Sequence, residues 1–241
     1  MIRRTLTAAV AALGIAAVTP LAASAGRPLP EPAVKAPVTS AQAAGVCNVS
    51  VPNRVAISKP LLILPGKISG DCNRTGNSSV WLLNHPSKGN VNFIGWDATD
   101  PDLDGTWWVN SDDAIGSQTF KPAYSTNTDG ATYTQNSVPV TVKLAAGAWI
   151  SSSRTGDVVT LKGTSLLYSV SNNVFFKRSA AGVFQFREQG STVWQTLKGG
   201  LWTNSKGEVT LSYRYSKVRD YRFALYSTPI SWDLGSAVTT R

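Results

Sequence analysis

The stretch VTLSYRYSKVRDYRFALY, residues 209–226, decides the fold class of this chain. Its first half places an apolar or aromatic side chain at every second position: Val209, Leu211, Tyr213 and Tyr215. Its second half repeats the same period at Tyr221, Phe223 and Leu225. A period of two gives a β-strand one face for the core and one for solvent. The stretch therefore predicts two strands, separated by the turn-like residues 217–220.

A similar strand-and-turn pattern extends over residues 47–241. Short β-branched and aromatic runs alternate with clusters of Gly, Asn, Asp, Ser and Pro, and helix signals are almost absent. This pattern predicts strands at Cys47–Val51, Arg54–Ile57, Leu61–Ser69, Val80–Asn84, Val91–Trp96, Thr106–Val109, Gln118–Ala123, Val138–Leu144, Ala148–Ser152, Val158–Leu167, Val183–Arg187, Trp194–Gly199, Glu208–Tyr215 and Tyr221–Tyr226. It is typical of a β-sandwich, in which Trp194 would be a bulky core residue of a central strand.

The N-terminal 46 residues differ in composition from the rest. Arg3 and Arg4 precede an apolar run at residues 6–21, which ends near the small residues Ala23 and Ala25. This order predicts a signal peptide, residues 1–25, although an uncleaved anchor helix is the alternative. Residues 26–46 are rich in Pro and Ala and predict a disordered linker. We expect a secreted protein, extracellular or associated with the cell wall, with no membrane span after signal cleavage.

The chain contains two cysteines, Cys47 and Cys72. An exported protein meets an oxidising compartment, so an even number of cysteines favours a disulfide. A metal site or a reactive thiol would need more ligands or a neighbouring base, and neither is visible nearby in the sequence. We therefore expect a structural disulfide between Cys47 and Cys72.

A family resemblance is carried by residues 157–241. This segment contains VVTLKGTSLLYS, STVWQTLK, SKGEVTLSYRYS, RDYRFALYST and SWDLGSAV. These runs resemble the C-terminal immunoglobulin-like module of secreted actinobacterial proteins of unknown function. The segment TQNSVPVTVKLAAGAWISSS, residues 134–153, is similar to sequences of the same group. The resemblance implies an immunoglobulin-like fold and export, and it transfers no catalytic or binding residue.

The expected architecture is all-β, with two tandem immunoglobulin-like β-sandwich domains. Residues 47–146 would form the N-terminal sandwich, which contains the disulfide, and residues 147–241 the C-terminal sandwich. Each segment is close to the size of about 100 residues that is common for a domain. The sequence pattern indicates no oligomeric state.

The positive charge is concentrated in the second half. Residues 153–241 carry 12 basic and 5 acidic side chains, whereas residues 47–152 carry 7 and 8. Such asymmetry favours an anionic partner, which for a secreted bacterial protein would be a cell-wall polymer or an acidic polysaccharide. A solvated surface is the alternative, because the Lys and Arg residues alternate with core positions. No nucleic-acid-binding motif is present, so nucleic acid is not an expected partner.

The acidic residues gather in GWDATDPDLDGTWWVNSDD, residues 95–113. Asp100, Asp102 and Asp104 followed by Gly105 match the start of a calcium loop, where alternate carboxylates converge on Ca²⁺. Ser111 stands at the position that should supply a bidentate Glu. The choice is between a Ca²⁺ site and a polar loop.

Trp96, Trp107 and Trp108 bracket the same loop. Exposed indole rings could form a stacking platform for sugars, with Trp107 and Trp108 as the candidate ligand-binding residues. Adjacent strand residues point to opposite faces, however, so one of this pair is expected in the core. Simple packing is the alternative to a sugar platform.

The sequence shows no catalytic machinery. The single histidine, His85, falls in the turn-like NHPSKGN and is expected at the surface, and no G-x-S-x-G motif occurs. A glycosidase would need two carboxylates flanking a cleft. The sequence therefore predicts a non-catalytic binding or cell-surface interaction module for an anionic polymer. The alternative is a calcium-dependent or carbohydrate-binding adhesin, and a hydrolase is the third class.

Overall fold

The computed structural model describes residues 43–241. Every regular element in this range is a β-strand, which confirms the all-β class. In the described part of the chain, no helix of the length and apolarity needed to cross a bilayer is found. The predicted signal peptide, residues 1–25, and residues 26–42 of the predicted linker lie outside the described residues.

The strands of the first half are β1 (Val46–Ser50), β2 (Arg54–Ile57), β3 (Leu61–Pro65), β4 (Lys67–Gly70), β5 (Ser78–His85), β6 (Gly89–Asp97), β7 (Thr106–Asn110), β8 (Gly116–Thr126), β9 (Thr134–Gln135) and β10 (Val138–Leu144). Those of the second half are β11 (Ala146–Thr155), β12 (Val158–Ser169), β13 (Val174–Lys177), β14 (Ala181–Glu188), β15 (Gln195–Trp202), β16 (Glu208–Arg214), β17 (Arg219–Leu225), β18 (Leu234–Gly235) and β19 (Thr239–Thr240).

In the first half, a five-stranded sheet has the order β2-β10-β8-β5-β6. A three-stranded sheet, β4-β1-β9, and the pair β3-β7 accompany it. Their inner faces share one apolar cluster, in which Trp81 and Phe120 are fully buried. Cys47 belongs to the same cluster and is bonded to Cys72, so the expected disulfide is confirmed. The disulfide fastens β1 to the turn that follows β4.

In the second half, β12 is paired with β11 on one side and with β16 and β13 on the other. The second sheet has the order β15-β14-β17-β18, and β19 also pairs with β17. The alternation in residues 209–226 is confirmed, because Tyr221, Phe223 and Leu225 are buried while Arg222 and Ala224 are less so. Phe184 and Phe223 pack with ring centroids 5.2 Å apart between the two sheets. Alternating side chains on two facing sheets thus build the core, as in a sandwich.

The structure differs from the sequence prediction in several details, and the short strands β9, β18 and β19 are among those not predicted. The strand expected at residues 61–69 is broken at Gly66, because β3 pairs with β7 whereas β4 pairs with β1. Strand β13 was not predicted, since its four residues are all exposed and show no alternation. The linker was expected to reach Val46, yet the amide of Ala44 already donates to the carbonyl of Thr132 at 2.7 Å and Val46 begins β1.

The strand ladders separate into β1–β10 and β11–β19, apart from an isolated bridge between Leu144 and Ser231. Side chains cross between these two groups. Tyr168 of β12 is 1% exposed and belongs to the core cluster of the first half. Division into domains at residues 146 and 147 stays a prediction.

Candidate functional site

The acidic loop uses its carboxylates to hold its own turns. Asp100 Oδ1 accepts the amide of Asp102 at 2.9 Å, and Asp104 Oδ1 accepts the amide of Thr106 at 2.9 Å. Such short side-chain-to-backbone bonds are characteristic of Asx turns. Within residues 43–241, no group of three or more His, Cys, Asp or Glu side chains is arranged to hold a metal ion. The expected Ca²⁺ ligands Asp100, Asp102 and Asp104 are therefore not brought together as a cation site.

The two adjacent tryptophans point to opposite faces of β7, as expected. Trp107 is 1% exposed and packs edge-on against Phe120, with ring centroids 5.0 Å apart. Trp108 is 38% exposed, and its Nε1 donates to Thr106 Oγ1 at 2.9 Å. The role of Trp107 as a ligand-binding residue needs correction, because the core encloses its ring and leaves no face for a sugar. Trp108 keeps a surface position.

A polar cleft of about 370 Å³ lies beside the disulfide and is lined by Trp96, Asp97, Asp104 and Arg74, among others. The amide and hydroxyl of Thr99 donate to Asp97 and lower the pKa of this carboxyl, which is therefore charged at neutral pH. The cleft combines one aromatic side chain with acidic and basic groups. These are groups that carbohydrate sites use, although the sequence placed the site on Trp107 and Trp108.

His85 takes no part in this cleft. It ends β5, half-buried, where its Nε2 lies 3.3 Å from the carbonyl oxygen of Ile115 and its Nδ1 accepts the amide of Ser87 at 3.2 Å. Nδ1 therefore holds the local turn, whereas Nε2 contacts the segment that precedes β8. The expectation of a surface histidine is met only in part.

A second candidate lies on the outer face of the sheet β15-β14-β17. Here the ring of Trp194 lies close to two guanidinium groups, with its centroid 4.8 Å from Cζ of Arg187 and 4.4 Å from Cζ of Arg222. Both distances fall within the range of cation–π contacts. We call Arg187, Trp194 and Arg222 the arginine–tryptophan stack. The prediction that Trp194 is a core residue was wrong, because it lies half-buried just before β15 and covers the outside of the sheet.

The alternation along β14 and β17 puts the two arginines on this face. Phe184, Tyr221 and Phe223 are fully buried, so the intervening positions face outward. In the register of the two strands, Arg222 is opposite Gln185 and Arg187 is opposite Asp220. These cross-strand pairs hold the arginine side chains in place.

The two arginines differ in how their charge is balanced. Arg187 Nε donates to Asp220 Oδ2 at 3.0 Å, and the pKa of Asp220 is lowered by its bonds to Thr240 and Arg187. Arg222 Nε donates instead to the neutral Gln185 Oε1 at 2.7 Å. No carboxylate of residues 43–241 forms an ion pair with Arg222. Burial, together with the positive charge of Arg187, lowers the pKa of Arg222. The stack therefore carries an uncompensated positive charge.

A shallow cleft of about 320 Å³ adjoins Arg222 and is lined also by Gln185, Tyr226 and Leu234. Its lining also includes Asp233, whose carboxylate forms an ion pair with Arg54. Sequence reasoning missed this site, but its signal was present. In FQFRE and YRFALY, the arginines occupy the polar positions of two strongly alternating strands, and a tryptophan lies seven residues after the first of them.

The sequence matches no protein-family model and no curated protein. Among solved structures, the chain is similar to the fibronectin(III)-like modules of Clostridium thermocellum CbhA, with 12% identity, a TM-score of 0.33, and 80% of this chain and 90% of that chain covered. It is also similar to a domain of intimin, with 10% identity, a TM-score of 0.25, and coverage of 81% and 98%. A Salmonella alpha-2-macroglobulin is 9% identical, with a TM-score of 0.37. The match covers 85% of this chain but only 15% of that protein. TM-scores this low carry no inference, and the all-β class rests on the strands themselves.

Proposed function

We propose that this protein is a secreted, non-catalytic binding module that holds an anionic polymer outside the cell through the arginine–tryptophan stack. The observation that carries the proposal is the cation–π contact of Trp194 with both Arg187 and Arg222 on an outer sheet face. The candidate polymers are those expected from the charge pattern, a phosphate-containing wall polymer or an acidic polysaccharide.

The chemistry of the stack suits such a polymer. A guanidinium group presents a planar fork of donors that matches phosphate and carboxylate groups. The indole ring restricts the orientation of both guanidinium groups before binding, so less side-chain freedom is lost when the polymer binds. Arg187 and Arg222 lie on neighbouring strands, which are about 4.8 Å apart in a sheet. Both can therefore contact one charged group or two successive ones.

The charge of the surrounding chain supports the same partner. Residues 153–241 carry 12 basic and 5 acidic side chains, and Glu208 is already shared by Lys162 and Lys177. A positive field raises the local concentration of a polyanion and speeds its association. The net charge of the second half would attract the polymer, and the arginine–tryptophan stack would position its charged groups.

The direct test is equilibrium binding of the purified protein to poly(glycerol phosphate) teichoic acid, polygalacturonate and neutral dextran. We expect binding of a polyanion and no binding of dextran. Added salt should weaken the binding, because the entropy gained by releasing counterions falls as the salt concentration rises. Arg222→Gln should weaken binding about tenfold, by analogy with the loss of a charge-assisted hydrogen bond.

Arg214→Gln is the matched control, because it removes the same charge from an exposed position on β16 in the other sheet. It should change the affinity by no more than about twofold, as expected for a screened surface charge. Equal losses for Arg214→Gln and Arg222→Gln would mean that net charge alone attracts the polymer. Equal binding of dextran and teichoic acid would contradict an anionic ligand.

The second candidate function is carbohydrate binding in the cleft of Trp96, Asp97 and Arg74. The favouring observation is the combination of an aromatic side chain with charged acceptors and donors in a cleft of about 370 Å³. Its test is the affinity for xylohexaose, with Arg74→Ala compared with Lys59→Ala at an exposed position outside the cleft. A loss of affinity for the sugar in Arg74→Ala but not in Lys59→Ala would support this function. A loss of affinity when calcium is removed with a chelator would show that the binding depends on calcium. No measurable affinity for the sugar would remove this candidate.

A further inference from the structure

A separate apolar cavity lies in the second half, between the end of β17 and the first strands of the other sheet. Its volume is about 350 Å³, and its walls include Leu166, Leu167, Leu225 and Ile230. Ligand pockets measure roughly 300–1,000 Å³, so the volume of this cavity fits a small ligand. The three leucines are 5–7% exposed and thus provide a formed apolar wall.

The mouth of the cavity leaves two aromatic side chains in solvent. Trp202, the last residue of β15, is 69% exposed, and Tyr226, just after β17, is 46% exposed. Both line the cavity. Covering such rings with an apolar ligand removes a large area from water, which is the main favourable contribution to binding of this kind.

The serine and threonine hydroxyl groups around the cavity are already bonded within the protein. Ser179 Oγ donates to the carbonyl of Thr203 at 2.7 Å. The hydroxyls of Thr228 and Ser231 lie 2.9 Å apart, and Thr228 Oγ1 also accepts the amide of Ser231 at 3.0 Å. A sugar would find few unoccupied partners here, and unpaired ligand hydroxyls would oppose its binding.

Among the residues that the structure describes, Arg178 is the one basic residue in the lining of this cavity. Arg178 is exposed, and no carboxylate of residues 43–241 forms an ion pair with it. Its backbone carbonyl accepts the buried hydroxyl of Ser165 and that of Thr203, the latter at 3.1 Å. These hydrogen bonds hold the backbone of Arg178 in place. The cavity therefore offers an apolar chamber with a single positive group.

From this combination we infer that the cavity binds an acyl carboxylate, with the hydrocarbon chain between the leucines and the carboxylate on Arg178. The aliphatic walls fit a hydrocarbon chain, and the guanidinium fork fits a carboxylate. The wall is also preformed, because the carbonyl of Ile230 accepts the amide of Leu144 from β10 at 2.8 Å. None of Arg187, Trp194 and Arg222 lines this cavity, although Tyr226 lines both the cavity and the cleft beside Arg222.

The experiment is isothermal titration of the purified protein with decanoate and with 1-decanol, below their aggregation limits. We expect decanoate to bind more tightly than the alcohol, because only decanoate has a charged group for Arg178. Arg178→Gln should abolish this preference while leaving decanol binding unchanged. Trp202→Ala should weaken both ligands at least about fivefold through loss of apolar contact.

Trp149→Ala is the control, because Trp149 is 60% exposed on β11 and does not line the cavity. Circular dichroism and thermal unfolding show whether each variant is folded. Arg222→Gln should retain decanoate binding, which separates this proposal from the polymer proposal. No saturable heat with either ligand would overturn the inference, as would equal weakening by Trp202→Ala and Trp149→Ala. A decanoate preference that survives in Arg178→Gln would overturn the assigned role of that residue.

Discussion

The indole Nε1 of Trp232 donates a hydrogen bond of 2.8 Å to the backbone carbonyl of Val55, two residues that are 177 positions apart in the chain. The centroid of the same indole ring lies 4.1 Å from Arg54 Cζ and 4.5 Å from Lys143 Nζ. Asp233 completes the contact with an ion pair of 2.8 Å to Arg54. The C-terminal segment is thus fastened to β2 and β10 of the first half.

Trp232→Ala should destabilise the protein. The change removes one hydrogen bond and two cation–π contacts, which together suggest a loss of about 2 kcal/mol in the free energy of unfolding. Urea denaturation followed by circular dichroism measures this. Trp149→Ala serves as the control, with an expected change within about 0.5 kcal/mol because its side chain is mostly in solvent. Equal losses in the two variants would contradict a fastening role for Trp232.

Glu208 should make the stability of the protein depend on pH in the acidic range. Lys177 and Lys162 donate to it at 2.7 and 2.9 Å and lower the pKa of its carboxyl from 4.5 to about 2. Because the folded pKa is below the unfolded one, the stabilisation is complete above pH 4.5 and is lost as the pH falls towards about 2. The denaturation midpoints of the wild type and Glu208→Gln should therefore differ at pH 7 and converge near pH 2. A difference that stays constant over this range would refute the assignment.

Gly163→Ala should be among the more harmful small changes in the chain. A Cβ at this position of β12 would lie 2.7 Å from Cγ of the fully buried Phe223. Overpacking of this kind costs about 1–3 kcal/mol. Gly199→Ala is the control, since its Cβ would meet atoms only at 3.5 Å or beyond. The midpoint of thermal unfolding should fall clearly in Gly163→Ala and stay unchanged in Gly199→Ala. Similar midpoints in the two variants would contradict the prediction.

The disulfide should contribute substantially to stability. It joins residues 25 apart, and closing a loop of that size is worth about 3 kcal/mol in the chain-entropy estimate. The double variant Cys47→Ser, Cys72→Ser should lose this amount in urea denaturation, and reduction of the wild type should have the same effect. An unchanged midpoint under reducing conditions, with reduction verified by thiol titration, would contradict the prediction.

The sequence predicted the strands well because burial on one face leaves a period of two in the residues. The bounds of β2 and β10 were predicted to the residue. The same rule failed for β13, whose four side chains are all exposed. It also failed at Gly66, where the choice of pairing partner depends on residues far away in the chain.

The candidate sites were harder to predict than the fold. One strand cannot reveal which strand lies beside it, so the meeting of Arg187 with Arg222 was not visible before β14 and β17 were paired. A tryptophan in an alternating segment is usually packed inside, and Trp194 departs from this because two guanidinium groups shield its ring on the surface. The sequence left a Ca²⁺ site and a polar loop open for residues 95–113, because it could not show that these carboxylates bond to their own backbone.

The most direct test of the proposed function is the salt dependence of teichoic acid binding by the wild type, Arg222→Gln and Arg214→Gln. Each phosphate contact that releases a counterion adds to the slope of log affinity against log salt concentration. The account predicts that Arg222→Gln binds about tenfold more weakly with a slope reduced by about 1, while Arg214→Gln keeps the slope of the wild type. Identical slopes and affinities for Arg222→Gln and the wild type would contradict it.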